Sequence, residues 1–243
     1  MKSRRAYLEQ LLYVGESVLL DGDKAHYLAR VLRLRQGHSI ELFNGDGYNY
    51  AGEIIACSKK TVELKINSQE PGLTASNIKI KLVQALSRGE RLDYSLQKAT
   101  ELGVDSIQLL LSERVELHLD EKRLERRMRH WQQVIISACE QCGRSDVPRL
   151  SQPVELATYL ATENISNGVV LDPEAEQGIS GVNINPDSVD LLVGPEGGFS
   201  TVEMERLLAA NVQAMRLGPR VLRTETAGPA AIAVLQQYYG DLN

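Results

Sequence analysis

From Ile78 onward the chain alternates short apolar runs with stretches of helical period, and few architectures accept that alternation. The runs "IKIKLVQAL" (78–86), "SIQLLL" (106–111), "GVVLD" (168–172), "DLLVG" (190–194) and "AMRLG" (214–218) predict strands. Between them, "RGERLDYSLQKATELG" predicts a helix closed by Gly103, and "LDEKRLERRMRHWQQVIISACEQCG" a long one closed by Gly143. A shorter helix is expected within "PVELATYLAT", another from Thr201, and a last one from about Glu225 to Tyr239. Strands buried on both faces and separated by helices specify an α/β domain with a parallel sheet.

The region before it reads differently. From Ser39 the segments "SIELFNGDGYNYAGEII" and "KKTVELKI" alternate with period two, and Asn44-Gly45 and Asp46-Gly47 supply residues that tolerate positive φ. A small β-rich barrel or sandwich follows, preceded by a capped helix in "DGDKAHYLARVLRLRQG", which carries Arg30, Arg33 and Arg35. The polar "EPGLTASN" (70–77) is the candidate linker, so two domains are expected, 1–72 and 73–243.

The charge is unevenly spread. Residues 1–150 hold 23 Lys and Arg against 20 Asp and Glu, whereas 151–243 hold 4 against 12, which fits either a polyanionic partner meeting the first part or an unevenly charged solvated surface. No run of about 18 apolar residues appears, and Glu9, Gln10 and Glu16 interrupt any apolar signal core near the start, so no membrane and a cytoplasmic location are expected. Cys139 and Cys142 form a CxxC without a second pair; with only His118 and His130 upstream, no metal is expected. The Lys122–Arg129 run has acids interleaved at helical spacing and reads as a solvated face, and Trp131 shares the apolar register of Val134, Ile135 and Ala138.

In open α/β sheets ligands sit beyond the carboxyl ends of strands, and three strand ends here are unusual: "VVLDPEAEQG", "LLVGPEGGFS" and "MRLGPRVLRTETAG". Ser200 and Glu203 have the spacing of a capping box, which makes Gly194–Gly198 a strand-to-helix loop. Its glycines either serve the turn alone or admit a ligand closely. The loop matches neither common phosphate-binding pattern. Glu196, with Asp172, Glu174 and Glu176 nearby in the same set of loops, would repel a pyrophosphate, whereas a phosphate-free, positively charged ligand such as S-adenosylmethionine would tolerate these acids.

Taken together, "SRGERLDYSLQKATELGV", "SERVE", "WQQVIISACEQCGR", "LLVGPEGGFS" and "LGPRVLRTETA", with "RAYL", "HYLARVLRLRQG" and "LFNGDG" before them, resemble the RsmE family across nearly the whole chain. That family comprises SPOUT-superfamily methyltransferases acting on N3 of one uridine in 16S ribosomal RNA. The resemblance implies a PUA-like N-terminal β-barrel, a SPOUT-type α/β domain ending in a deep trefoil knot, and a homodimer. It also implies that S-adenosylmethionine is held by Leu171, the loop of Gly194, Glu196, Gly197 and Gly198, and the turn from Leu217 and Gly218 through Arg220 to Leu222.

Methylation of uridine N3 requires loss of an imide proton and stabilisation of the resulting anion. Arg223 is the first candidate for the stabilising cation and Arg220 the second, with Glu225 the nearest base. A structural reading competes: Thr224 caps the last helix and Glu225 favours its dipole, while Gly228-Pro229 sits in its first turn. Arg5, Arg30, Arg33, Arg35, Arg88, Arg91, Arg114 and Arg144 are candidates for gripping RNA phosphates of the 16S ribosomal RNA or small ribosomal subunit. The alternatives are a non-catalytic RNA-binding ribosome assembly factor and an enzyme whose glycine loops hold a different nucleotide cofactor.

Overall fold

The computed structural model describes residues 4–58, 60–73, 76–115, 120–163, 165 and 167–242. The chain divides into two compact units, Met1–Thr74 with Cys139–Val147, and Ala75–Ala138 with Pro148–Asn243. Return of the segment from Cys139 to the first unit is a feature that no composition break in the sequence announces.

The first unit is built on β1 (Arg5–Tyr7), β2 (Ser17–Leu20), β3 (Ser39–Phe43), β4 (Tyr48–Cys57) and β5 (Val62–Pro71), in the order β1-β3-β4-β5-β2. The sheet forms a half-barrel with β1 and β2 at its edges; only β1 runs parallel to its neighbour. The turn between β3 and β4 follows its sequence closely. Gly45 and Gly47 have φ of +93° and +89°, and the Asn44 and Asp46 side chains accept backbone N–H bonds from Asp46 and Tyr48 at 3.1 and 2.9 Å. Alternation places Leu42, Ile54, Leu64 and Ile66 in the core, each contributing about 1.5–3 kcal/mol through burial.

The helix expected after Asp21 takes a different form. Asp21 makes no side-chain cap bond, α1 spans only Gly22–His26, and the chain widens into a π-helical turn over Tyr27–Val31. It leaves through Arg33, whose φ of +54° is unusual for a residue with a side chain, and returns Leu34 to the core.

The second unit holds β6 (Lys79–Ala85), α2 (Arg91–Glu101), β7 (Ser106–Leu111), α3 (Glu121–Cys142), whose last turn belongs to the first unit, β8 (Arg149–Glu155), α4 (Leu156–Thr162), β9 (Gly168–Leu171), β10 (Ser188–Val193), α5 (Thr201–Ala209), β11 (Gln213–Met215) and α6 (Thr224–Tyr239). Its six strands are all parallel, in the order β11-β9-β10-β6-β7-β8. The two central strands read as continuous apolar runs because both faces are covered: Leu82, Val83 and Ala85 in β6, and Leu191, Leu192 and Val193 in β10, are all buried. Val83, Leu110, Tyr159, Val170, Leu192, Phe199 and Leu207 share one cluster, while α6 packs against β6, β10 and α2.

Strand order fixes where a ligand can sit. From β6 the chain proceeds outward through β7 to β8, then reappears at β9 and inserts β10 beside β6. The order therefore reverses between β6 and β10, and the crevice at such a switch point opens at the strands' carboxyl ends.

Candidate functional site

Three segments meet at that end: the chain after β9, the Gly194–Gly198 loop after β10, and the long turn between β11 and α6. Together they wall a cavity of about 560 Å³, within the range of small-molecule sites. Its lining includes Leu171, Asp172, Val193, Met215, Leu217 and Leu222 as apolar and acidic walls, with Glu196, Arg220, Arg223 and Glu225 around them.

The loop after β10 is shaped by its own backbone. The Gly198 N–H donates to the Pro195 carbonyl at 2.9 Å, and Gly198 has φ +67°. A Cβ at Gly194 would lie 3.1 Å from the Phe199 amide nitrogen and 3.3 Å from the Gly198 Cα, so a side chain there would press directly on main chain. The capping box is present: Ser200 Oγ accepts from the Glu203 N–H at 3.1 Å, and Glu203 Oε2 accepts from the Ser200 N–H at 2.8 Å. Glu203 is itself buried, and its other oxygen accepts from the Glu113 N–H at 2.9 Å, which ties the start of α5 to the end of β7.

Thr224 differs from its sequence reading. Arg223, not Thr224, occupies the N-cap position of α6 and makes no side-chain cap bond. The buried Thr224 hydroxyl donates to the Gly194 carbonyl at 2.7 Å and accepts from Gln84 Nε2 at 3.1 Å. It thereby pins the first turn of α6 to β6 and to the root of the glycine loop. Pro229 likewise lies deeper than expected, at the sixth residue of α6, where its missing N–H leaves the Glu225 carbonyl without its usual helical donor. Beside it Gly228 faces the sheet, and a Cβ there would meet Gln84, Leu82 and Val193 at ordinary contact distances of 3.5–3.6 Å.

The charged groups fall into distinct environments. Glu225 is largely buried, and its Oε2 has no hydrogen-bond partner among the described residues; Arg223, 82% exposed at its side chain, approaches Oε1 only to 4.0 Å. Glu196 Oε1 accepts from Arg91 Nη1 at 2.5 Å and from the Arg88 N–H at 3.1 Å. Burial works to raise the Glu196 pKa, but its own backbone amide, Arg91 and the Arg88 amide together hold the carboxyl below its ordinary range.

The structure brings together most residues singled out in the sequence. Leu171, Gly194, Glu196, Gly197, Gly198, Leu217, Arg220, Leu222, Arg223 and Glu225 all line the cavity. Gly218 is not among the lining residues; its φ of +73° gives it a turn role. Asp172 lines the wall, whereas Glu174 and Glu176 do not. Arg91, expected only as a phosphate contact, lines the cavity as well, and Thr224, Pro195 and Met215 join it without having been singled out as ligand contacts.

The basic set divides. Arg30, Arg33, Arg35, Arg88, Arg91 and Arg114 are exposed residues. Arg5 and Arg144 belong to the interior of the first unit, which removes them from any surface a phosphate could reach. Arg5 pairs with Glu41 at 2.5 Å, donates to the Cys139 carbonyl at 3.0 Å and to Asn49 Oδ1 at 2.8 Å, and stacks on Phe43. Arg144 pairs with Asp146 at 2.5 Å; burial works to raise the Asp146 pKa, but the guanidinium holds this carboxyl below its ordinary value. Burial pushes the Cys139 thiol up to about 12, and no metal-binding cluster of His, Cys, Asp and Glu occurs among the described residues. His118 lies outside the described residues, and His130 Nε2 bonds Asp93 at 2.6 Å. No described helix is long and apolar enough to cross a membrane.

Residues 74–236 match the RNA methyltransferase domain family and residues 20–67 the RNA methyltransferase PUA domain family. Ribosomal RNA small subunit methyltransferase E of Buchnera aphidicola (from Schizaphis graminum) is 34% identical over the full length of both chains, and the Bacillus subtilis protein of the same name is 30% identical over 89% of this chain and 88% of its own. Among solved structures, a Legionella pneumophila protein described as a methyltransferase with bound cofactor SAM superposes with a TM-score of 0.96, at 37% identity and complete coverage of both chains. Ribosomal RNA small subunit methyltransferase E of Neisseria gonorrhoeae, bound to S-adenosyl methionine, superposes at 0.92, with 34% identity over 99% of this chain and 100% of its own.

Proposed function

The chain belongs to the ribosomal RNA small subunit methyltransferase E family, with its RNA methyltransferase and PUA domains, and from that premise we propose that it transfers a methyl group from S-adenosylmethionine to N3 of one uridine in 16S ribosomal RNA. One observation carries the reading: the three unusual strand-end loops converge at the carboxyl ends of β9, β10 and β11 around a cavity large enough for a nucleoside-sized ligand.

The lining fits this donor. Leu171, Val193, Met215, Leu217 and Leu222 offer apolar surface for adenosine, and Gly194, Gly197 and Gly198 allow main-chain approach. Asp172, Glu196 and Glu225 suit a ligand that carries positive charge and no phosphate. When bound, the donor supplies an electrophilic methyl group on a sulfonium. The chain's own residues do the rest. Glu225 Oε2, which has no hydrogen-bond partner among the described residues, is the acceptor for the N3 imide proton, and the exposed Arg223 guanidinium can swing beside a uracil carbonyl oxygen as negative charge grows there. Thr224 fixes both of these neighbours through Gly194 and Gln84, so that holding geometry contributes alongside charge.

Arg30, Arg33 and Arg35 in the first unit, and Arg88, Arg91 and Arg114 in the second, are assigned to RNA phosphates. The target base is presented unpaired or extruded, since its N3 is otherwise engaged in pairing. The remaining assignments rest on family membership: a homodimer, a PUA-like domain over 1–72 joined to a SPOUT domain over 73–243, and a trefoil knot formed by the chain from β9 to α6.

Calorimetry with S-adenosylmethionine, ATP and NAD tests the reading. Binding of the methyl donor alone supports it; binding of ATP or NAD instead, or of none, overturns it. Mass spectrometry of ribosomal RNA from cells lacking the gene then identifies the modified nucleotide.

A further inference from the structure

A smaller cavity of about 230 Å³ shares a wall with the larger one, and it is basic. It gathers Arg88 from the chain after β6, Arg91 from α2 and Arg114 from the chain after β7, together with Glu196 and Gly197 of the glycine loop. Among the described lining residues these guanidiniums outnumber the carboxylate of Glu196. The loop nonetheless satisfies two of them: Glu196 accepts from Arg91 Nη1 at 2.5 Å, and the Gly197 carbonyl accepts from Arg114.

Such contacts are exchangeable. The Arg91 and Glu196 side chains are 44% and 34% exposed, and a pair in that setting contributes under about 1 kcal/mol. Guanidiniums prefer a phosphate that two N–H groups can approach side by side.

We infer that the small cavity seats one backbone phosphate of the RNA strand, and that Glu196 keeps the seat until the strand arrives. This rests on the methyltransferase reading above. A phosphate that draws Arg91 away leaves the Glu196 carboxylate less neutralised, and Glu196 also lines the larger cavity. The carboxylate then attracts the positively charged donor more strongly. RNA and donor consequently raise each other's affinity by the same factor, as linkage requires.

The test uses the intact protein and a fluorescent 16S ribosomal RNA fragment. Arg88→Met and Arg114→Met, first checked to melt as the parent does, should each lower the slope of log affinity against log salt by about 0.7. Unchanged slopes in both variants overturn the seat. Replacing single RNA linkages by neutral methylphosphonate should reveal one whose neutralisation weakens the parent about tenfold but adds little in Arg114→Met; strict additivity at every linkage also overturns it. Donor affinity should rise about fivefold or more when RNA is present and show no such rise in Glu196→Gln. Independent binding in the parent removes the gating role of Glu196. Inorganic phosphate should not substitute for RNA in tightening the donor; if it does, the seat belongs to free phosphate. Failure of the donor to bind either with or without RNA, with salt slopes still reduced in the variants, would sink the methyltransferase reading while keeping the phosphate seat.

Discussion

Arg5 and Arg114 look alike in the sequence, each an arginine in a chain segment suited to meeting RNA, yet the two units use them for opposite ends. In the first unit Arg5 is sealed among Glu41, Asn49, Phe43 and the Cys139 carbonyl, so its charge is a fastening that joins β1 to the returning segment Cys139–Val147. In the second unit Arg114 is exposed and donates to the Gly197 carbonyl at a cavity rim. The difference lies in burial and in completeness of partners. A guanidinium that has lost its water and is held by buried protein acceptors and an ion pair is out of reach of a phosphate.

The comparison breaks most visibly at Arg223 and Arg5. Arg223→Ala should reduce methyl transfer by about 10²–10³-fold, measured in single turnovers, with donor affinity changed far less. Arg5→Ala should destabilise the first unit by about 3 kcal/mol in denaturant unfolding, because it strands buried acceptors, and Arg5→Lys should recover little of that loss. A wild-type unfolding curve from Arg5→Ala would show that the buried network is ornamental.

Smaller effects sharpen the contrast. Thr224→Val removes a hydroxyl that serves Gly194 and Gln84 at once, and should cost about 1–3 kcal/mol of stability while weakening donor binding in calorimetry. Asp146 has its carboxyl held below the ordinary value of 3.8, so its contribution is present above that pH and lost as pH falls through the lower, folded value. Acid unfolding followed below about pH 4 should therefore be less steep in Asp146→Asn. Arg91→Ala, whose pair with Glu196 is solvent-exposed, should move the melting point least of all, corresponding to under about 1 kcal/mol.

Much of this was legible beforehand, because period and turn chemistry are local. The central strands β6 and β10, the long helix α3 closed by Gly143 at φ +96°, and the capping box of Ser200 and Glu203 each follow from residues within a few positions of one another. What stayed hidden depends on distant partners. β8 is a strand despite Pro153, because it occupies the sheet's edge, and its register slips opposite Gln108–Leu110 where the proline lies. Thr224 has the look of a cap, and only the approach of Gly194 and Gln84 turns its hydroxyl inward. Arg5 and Arg144 read as surface charge until the fold supplies Glu41 and Asp146.

The insertion of β10 beside β6 has a consequence for how the protein is made. Lys79 pairs in register with Ser188, so the cleft's two flanking strands are separated by more than a hundred positions in the nascent chain, and α6 must still arrive to cover them. Loop-closure entropy of that size makes the pairing slow relative to local helix formation. During synthesis on the ribosome, β6 therefore waits with an unpaired flank while α2, β7 and α3 emerge, which leaves that edge the part of the sheet most open to mispairing before β10 is made.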